Sequence, residues 1–95
     1  MAELPESTES ALALLDYPGR FPLKVFGRPG DDFESVVLAL VRARVPQAEH
    51  IEVSRRNSRS GKYQALTLTF TVHTQQQLLD IYRDLHDCEQ VVMSL

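Results

Sequence analysis

Apolar residues recur along this chain with two spacings, and the changes between them mark the predicted elements. Phe21, Leu23 and Val25 alternate with other residues, as expected for a strand with one buried face. After Asp31 the apolar residues instead follow the i, i+3, i+4 pattern of an amphipathic helix, namely Phe33, Val36, Val37, Leu40 and Val41. Asp31 and Glu34 have the spacing of a capping box at the start of this helix. The first half of the chain therefore predicts a strand followed by a helix.

The second half predicts a hairpin, a helix and a last strand. Ile51 and Val53 alternate with polar residues and predict a short strand, and residues 57–61 are of the types found in turns. A longer strand is indicated by strict alternation of Leu66, Leu68, Phe70 and Val72 with alanine and threonine. Thr74 and Gln77 then form a second capping box. The helix that follows has a predicted buried stripe of Leu78, Ile81, Tyr82 and Leu85.

The predicted order is strand, helix, strand, strand, helix, strand, with residues 91–95 as the last strand. Two right-handed strand-helix-strand crossovers joined by a hairpin give the ferredoxin-like α+β fold. In that fold a four-stranded antiparallel sheet has the order 4-1-3-2 and both helices cover one face. We expect residues 17–95 to form this single domain. Residues 1–16 are expected to be an acidic, flexible tail with a short helical turn that Ser10 caps.

Length and composition narrow the class of protein. Ninety-five residues suffice for one small domain, and a net charge of -3 gives no general attraction to nucleic acid. The chain has one cysteine, Cys88, and its start has neither the basic residues nor the apolar run of a secretion signal. Its apolar stretches are too short to cross a bilayer. These features predict a cytoplasmic protein that is not embedded in a membrane.

Several segments together resemble the YbeD-like family of small bacterial proteins. They are residues 17–18 (YP), residues 21–27 (FPLKVFG), residues 58–63 (SRSGKY), residues 81–85 (IYRDL) and the apolar carboxyl-terminal strand. The resemblance implies a ferredoxin-like fold, similar to the ACT domains that sense small molecules in metabolic enzymes. It also implies that no catalytic activity is established. Because the family has no agreed catalytic or ligand residues, the resemblance assigns a role to no residue of this chain.

The most basic segment spans residues 55–63 and contains four of the ten lysines and arginines, Arg55, Arg56, Arg59 and Lys62. Gly61 permits a positive φ and close approach of the backbone to an anion. The segment is not a P-loop, because Tyr63 follows Gly61 and Lys62 where serine or threonine is required. It is therefore either an anion- or partner-binding loop or a solvated turn whose charges oppose aggregation. Charged turns commonly serve solubility, which favours the second interpretation.

The sheet face opposite the helices is a second candidate contact surface, predicted to carry Lys24, Phe26, Ala65, Thr67, Thr69 and Thr71. Lys24, Phe26, Thr67 and Thr69 are its candidate contact residues. The apolar last strand lies at a sheet edge and is suited to pairing with a second copy in a homodimer. Alternatively, the face is simply exposed to water.

Nucleic-acid binding and catalysis are disfavoured by the residue types present. RNA-binding sheets carry several stacking aromatic residues, and Phe26 alone is not such a platform, so RNA binding through residues 55–62 is only the alternative function. Neighbours such as His86 and Cys88 diverge on a helix by roughly 100° per residue and cannot jointly hold one metal ion. We predict no catalytic residues, metal or cofactor. The predicted function is a non-catalytic regulatory or adaptor domain that binds a protein partner or a small metabolite.

Overall fold

A computed structural model describes residues 6–30, 32–46 and 50–94 of the chain. The elements in chain order are α1 (Glu6–Ala13), β1 (Gly19–Gly27), α2 (Phe33–Arg44), β2 (Glu52–Asn57), β3 (Gln64–Val72), α3 (Gln75–His86) and β4 (Val91–Ser94). The strands form one antiparallel sheet in the order β2-β3-β1-β4. The sheet order and the helix-strand succession confirm the predicted ferredoxin-like α+β fold.

The hydrophobic core lies between one face of the sheet and the two longer helices. Leu66, Leu68 and Phe70 of β3 are fully buried, whereas the threonines between them are only half-buried. Helix α3 contributes its whole predicted stripe to the same cluster, namely Leu78, Ile81, Tyr82 and Leu85. From the predicted stripe of α2, Phe33, Val37 and Val41 are buried and Leu40 is partly buried against the core, whereas Val36 is half-buried and not part of the cluster. Because core and solvent positions alternate along β1 and β3, the helices cover only one face. The opposite face is called the open face below.

Side-chain hydrogen bonds fix the starts of α2 and α3 in different ways. The Thr74 hydroxyl accepts from the Gln77 amide at 3.2 Å, as predicted, while the Gln77 side chain accepts from the His73 amide at 2.8 Å. The predicted cap of α2, Asp31, lies outside the described residues. The residue at the cap position is Asp32, whose carboxylate accepts from the Gln90 side chain at 2.9 Å rather than from its own helix. A long-range contact to the turn before β4 therefore holds the start of α2.

Helix α1 differs from the predicted turn, because it begins at Glu6 and contains Ser10 in its interior. The helix is held by packing, since Leu12 is only 5% exposed and belongs to the core cluster. Two hydrogen bonds add to this contact. The Tyr17 hydroxyl donates to the Leu12 carbonyl at 2.8 Å, and the Gln75 side chain donates to the Glu9 carbonyl at 3.2 Å. A buried leucine, rather than a cap at Ser10, therefore positions this helix.

The hairpin also differs from its prediction in where the turn begins. Strand β2 continues through Arg55 and Arg56 and pairs with β3 as far as Asn57 opposite Gln64. The connecting loop is therefore residues 58–63, so that two of the four basic residues of the segment lie in β2 and two lie in the loop. Cross-strand pairing extends β2 beyond the apolar alternation that marked it in the sequence.

In the ranges that the structure describes, the helices are all too short and too polar to span a lipid bilayer.

Candidate functional site

The strand register brings residues from all four strands into one row across the open face. Arg56 of β2 lies opposite Ala65 of β3, Ala65 lies opposite Phe26 of β1, and Phe26 lies opposite Met93 of β4. Phe26 and Ala65 are half-buried, and Arg56 and Met93 are exposed. The row thus places an apolar centre beside a cationic side chain.

Two further rows continue the open face. Ser54, Thr67 and Lys24 form the next row, and the one after it contains Thr69 between Glu52 of β2 and Pro22 of β1. Thr67 and Thr69 are half-buried and Lys24 is exposed. The structure therefore brings the predicted contact residues Lys24, Phe26, Thr67 and Thr69 together on one surface.

A depression is centred on the row of Arg56, Ala65 and Phe26. One part of it has a volume of about 310 Å³ and extends towards Lys24, Ser54 and Thr67. The other part, about 180 Å³, extends towards the loop and is lined also by Asn57, Ser58 and Tyr63. The two parts share Phe26, Arg56 and Ala65. We call this depression the basic hollow, and its principal side chains are those of Lys24, Phe26, Arg56, Tyr63, Ala65 and Thr67.

The charge of the basic hollow is positive, in contrast to the net charge of -3 of the whole chain. Lys24, Arg55 and Arg56 line it, with Arg55 hydrogen-bonded to Glu34 of α2, and its described lining includes no aspartate or glutamate. Elsewhere on the open face, Arg20 lies 3.8 Å from a Glu52 carboxylate oxygen, so that pair is close to neutral. Positive charge on this face is therefore concentrated at the basic hollow.

Arg55 is separated from Arg56 by the alternation of the strand. Its guanidinium Nε donates to the Glu34 carboxylate at 2.6 Å, which ties β2 to the first turn of α2. This hydrogen bond lowers the pKa of Glu34 and raises that of Arg55. Of the two adjacent arginines, Arg55 has an acidic partner on the helix side and Arg56 lies on the open face.

The loop over residues 58–63 is closed by hydrogen bonds of its own. The Gly61 amide donates to the Ser58 carbonyl at 3.0 Å, and the Tyr63 amide donates to the Ser58 hydroxyl at 3.1 Å. Gly61 has a φ of 73°, a conformation that glycine permits. These two amides are engaged within the loop, and the side chains of Arg59 and Lys62 are exposed beside them.

Sequence reasoning missed Ser54 and Met93 as members of this surface. Ser54 alternates with Val53, and this alternation already indicated that it would lie on the open face. Met93 could not be assigned in the same way, because a register shift between Phe26 and Gly27 interrupts the pairing of β1 with β4. In the described parts of the chain, no group of three or more histidine, cysteine, aspartate or glutamate side chains is arranged to hold a metal ion.

Fold and surface together define a small ferredoxin-like α+β domain with one uncovered sheet face. The chain belongs to the family described as "Protein of unknown function (DUF493)", whose model matches residues 13–95. This is also the UPF0250 family, which includes YbeD, so the resemblance drawn from the sequence is confirmed.

Relatives in this family are similar over most of their length. A UPF0250 protein of Chromobacterium violaceum is 39% identical over 82 residues, which are 86% of this chain and 92% of the relative. UPF0250 protein NE1487 of Nitrosomonas europaea is 35% identical over 87% of this chain and 95% of its own. The solution structure of protein HP0495 from H. pylori superposes with a TM-score of 0.69 at 18% identity, over 100% of this chain and 98% of that one. The last comparison supports the fold.

Proposed function

We propose that this domain is a non-catalytic regulatory or adaptor module that binds a protein partner or a small metabolite through its open face. One observation carries the proposal. The two longer helices bury a single face of the sheet, and the other face presents a positive, partly apolar hollow rather than a uniformly hydrated surface. A concave surface with a few convergent polar groups is the usual form of a binding site.

The contact residues of the proposed surface fall into two groups. Lys24, Phe26, Thr67 and Thr69 provide its centre, and Arg56 joins them from β2. Arg59 and Lys62 lie on the exposed loop that follows β2. Arg55 supports the surface indirectly, because its ion pair with Glu34 holds β2 against α2.

Strand β4 offers a route to self-association next to the same surface. Val92 and Met93 are 53% and 49% exposed, and the outer edge of β4 completes the sheet. A homodimer paired along this edge would extend the open face across two copies. Sedimentation analysis separates this arrangement from a monomer.

We propose a reducing cytoplasm as the setting, in line with a chain that has one cysteine, Cys88.

The proposal is tested by affinity capture from native cytoplasm, with analysis of both proteins and small molecules retained. Thr67→Asp places a negative charge on the open face. Ser35→Asp places the same charge on the exposed surface of α2, near its amino-terminal end where an acidic residue is tolerated. We expect Thr67→Asp to lose the bound species and Ser35→Asp to retain it. Equal capture by both variants would place binding elsewhere.

RNA binding is the second candidate function, and one observation favours it. The ring of Tyr63 lines the same hollow as Phe26 and Arg56, which gives two rings and a cation at one end of the sheet. Salt-dependent binding of single-stranded RNA, lost when Arg56 and Arg59 become alanine, would support this function. Failure to bind RNA at low salt would exclude it.

A further inference from the structure

We infer that the basic hollow binds a small organic anion carrying one planar ring, with Arg56 and Lys24 holding the anionic group and Phe26 and Tyr63 contacting the ring. This inference rests on the proposed function and specifies the ligand class of its surface. Ligands of this chemistry include aromatic phosphates and aromatic carboxylates.

Charge complementarity indicates the anionic group. Arg56 and Lys24 approach the hollow from β2 and β1, on either side of β3. A guanidinium can donate two parallel hydrogen bonds to a carboxylate or phosphate, and an ammonium adds a point charge. Since no carboxylate lines the described walls of the hollow, a ligand would supply the compensating negative charge.

The side chains between the two cations indicate the ring. Ala65 occupies the middle of the row, and its single methyl group leaves room between the ring of Phe26 and the stem of Arg56. Tyr63 is 47% exposed and closes the hollow on the loop side. Aromatic side chains attract planar ligands by offset stacking or edge contacts, and an arginine stem adds apolar area. An anion without a ring would leave these apolar side-chain surfaces exposed to water.

Hydroxyl groups complete the site beside the cations. Ser54 and Thr67 lie side by side in the row adjacent to Arg56 and Ala65 and line the larger part of the hollow. Each hydroxyl can donate to an anionic oxygen. The larger part, about 310 Å³, is at the lower end of the size range of small-molecule sites. A ligand with one ring and one acidic group therefore fits better than a polymer.

The test is an NMR titration of the isotopically labelled full chain with phenyl phosphate and, separately, with phenylacetate. Inorganic phosphate and benzyl alcohol serve as probes that have only the charge or only the ring. We expect amide shifts of Lys24, Phe26, Arg56 and Ala65 with at least one of the two complete probes. Inorganic phosphate, which lacks the ring, and benzyl alcohol, which lacks the charge, should bind about tenfold more weakly or not at all. A charge-assisted hydrogen bond or a buried ring changes affinity by about that factor. Tighter binding of phenyl phosphate would indicate a phosphate ligand, and tighter binding of phenylacetate would indicate a carboxylate ligand.

Three variants examine the two halves of the site. Arg56→Gln removes the cation and should weaken binding of the tighter probe about tenfold, whereas Arg42→Gln, at another exposed arginine, on α2, should leave binding unchanged. Ala65→Leu fills the hollow without changing charge and should also abolish binding. Because Arg56 and Arg42 are exposed, neither substitution disturbs the core.

Three results would overturn the inference: no binding of either complete probe, equal affinity for inorganic phosphate, or loss of binding equal in the Arg56 and Arg42 variants. A preference for single-stranded RNA over both probes would also overturn it in favour of the alternative function. If the probes fail while Thr67→Asp still abolishes capture, the ligand class is wrong and the proposed binding face stands.

Discussion

Arg55 and Arg56 are adjacent in the chain, but they serve opposite faces of the sheet. Arg55 donates to Glu34 of α2 at 2.6 Å, and Arg56 lies beside Ala65 on the open face. The two charges are therefore not one anion-binding cluster. One supports the packing of β2 against a helix, and the other belongs to the basic hollow.

The ion pair of Arg55 with Glu34 should make stability depend on pH. The pKa of Glu34 is lowered in the folded protein, so its contribution is present above its ordinary value of 4.5 and is lost as pH falls through the lowered pKa. We expect Glu34→Gln to lower Tm at pH 7 and to have a smaller effect at pH 3. Thermal melts of both proteins across this range measure the effect.

A double-mutant cycle with Arg55→Gln provides the control for that prediction. Once Arg55 has been replaced, Glu34→Gln should change Tm little at pH 7. A destabilisation by Glu34→Gln that is the same at pH 7 and pH 3, with or without Arg55, would contradict the role given to this pair.

Gly27 should not tolerate a side chain. A methyl group there would overlap the ring of Phe33 and the carbonyl oxygen of Gln90. Overpacking of this kind costs about 1–3 kcal/mol, so Gly27→Ala should lower the free energy of unfolding by that amount. Gly30→Ala is the matched control, because among the described residues its methyl group would meet only Asp32, at 3.6 Å. Urea denaturation compares the variants, and equal stability of the two would show that Gly27 is not tightly packed.

The hydroxyl of Thr74 should stabilise α3. Removing an amino-terminal cap costs about 1 kcal/mol, so Thr74→Ala should lower the free energy of unfolding by roughly that amount. Thr74→Ser keeps the oxygen that accepts from Gln77 and should retain most of the stability. If serine and alanine at this position are equally destabilising in urea denaturation, the methyl group rather than the cap is responsible.

Tyr82 should titrate at unusually high pH. Burial, with a smaller effect of Tyr17, raises its pKa from 10.0 to about 12. Because the folded protein holds the neutral phenol, the associated stability is present below pH 10 and is lost as pH rises towards 12. Phenolate absorbance should show a late-titrating group that Tyr82→Phe removes. Complete titration near pH 10 without unfolding would contradict this assignment.

Local periodicity was sufficient to predict the fold because burial follows the repeat of each element. The alternation of Leu66, Leu68 and Phe70 with threonines predicted both faces of β3, and the stripe around Ile81 predicted the buried side of α3. The open-face positions of Lys24 and Phe26 followed from the same rule. These predictions are confirmed. They could be made from the sequence because each depends only on residues close together in the chain.

Features that depend on long-range contacts were not predictable in this way. Arg55 lies in a strand and has a partner 21 residues away, Asp32 is bonded to Gln90 in a distant turn, and α1 is anchored by Leu12. The basic hollow itself arises from the register that places Arg56 and Phe26 on either side of Ala65. A sequence pattern gives the face of each residue but not its neighbour on the next strand.

NMR of the isotopically labelled protein in a native cytoplasmic extract, compared with the same protein in buffer, can map the surface that native binding partners contact. If the open face is the binding surface, the changed amides should cluster around Lys24, Phe26, Arg56 and Thr67, and those on the exposed surface of α2 should keep their positions. Changes confined to the helices, with the sheet signals unaltered, would contradict a binding role for the open face.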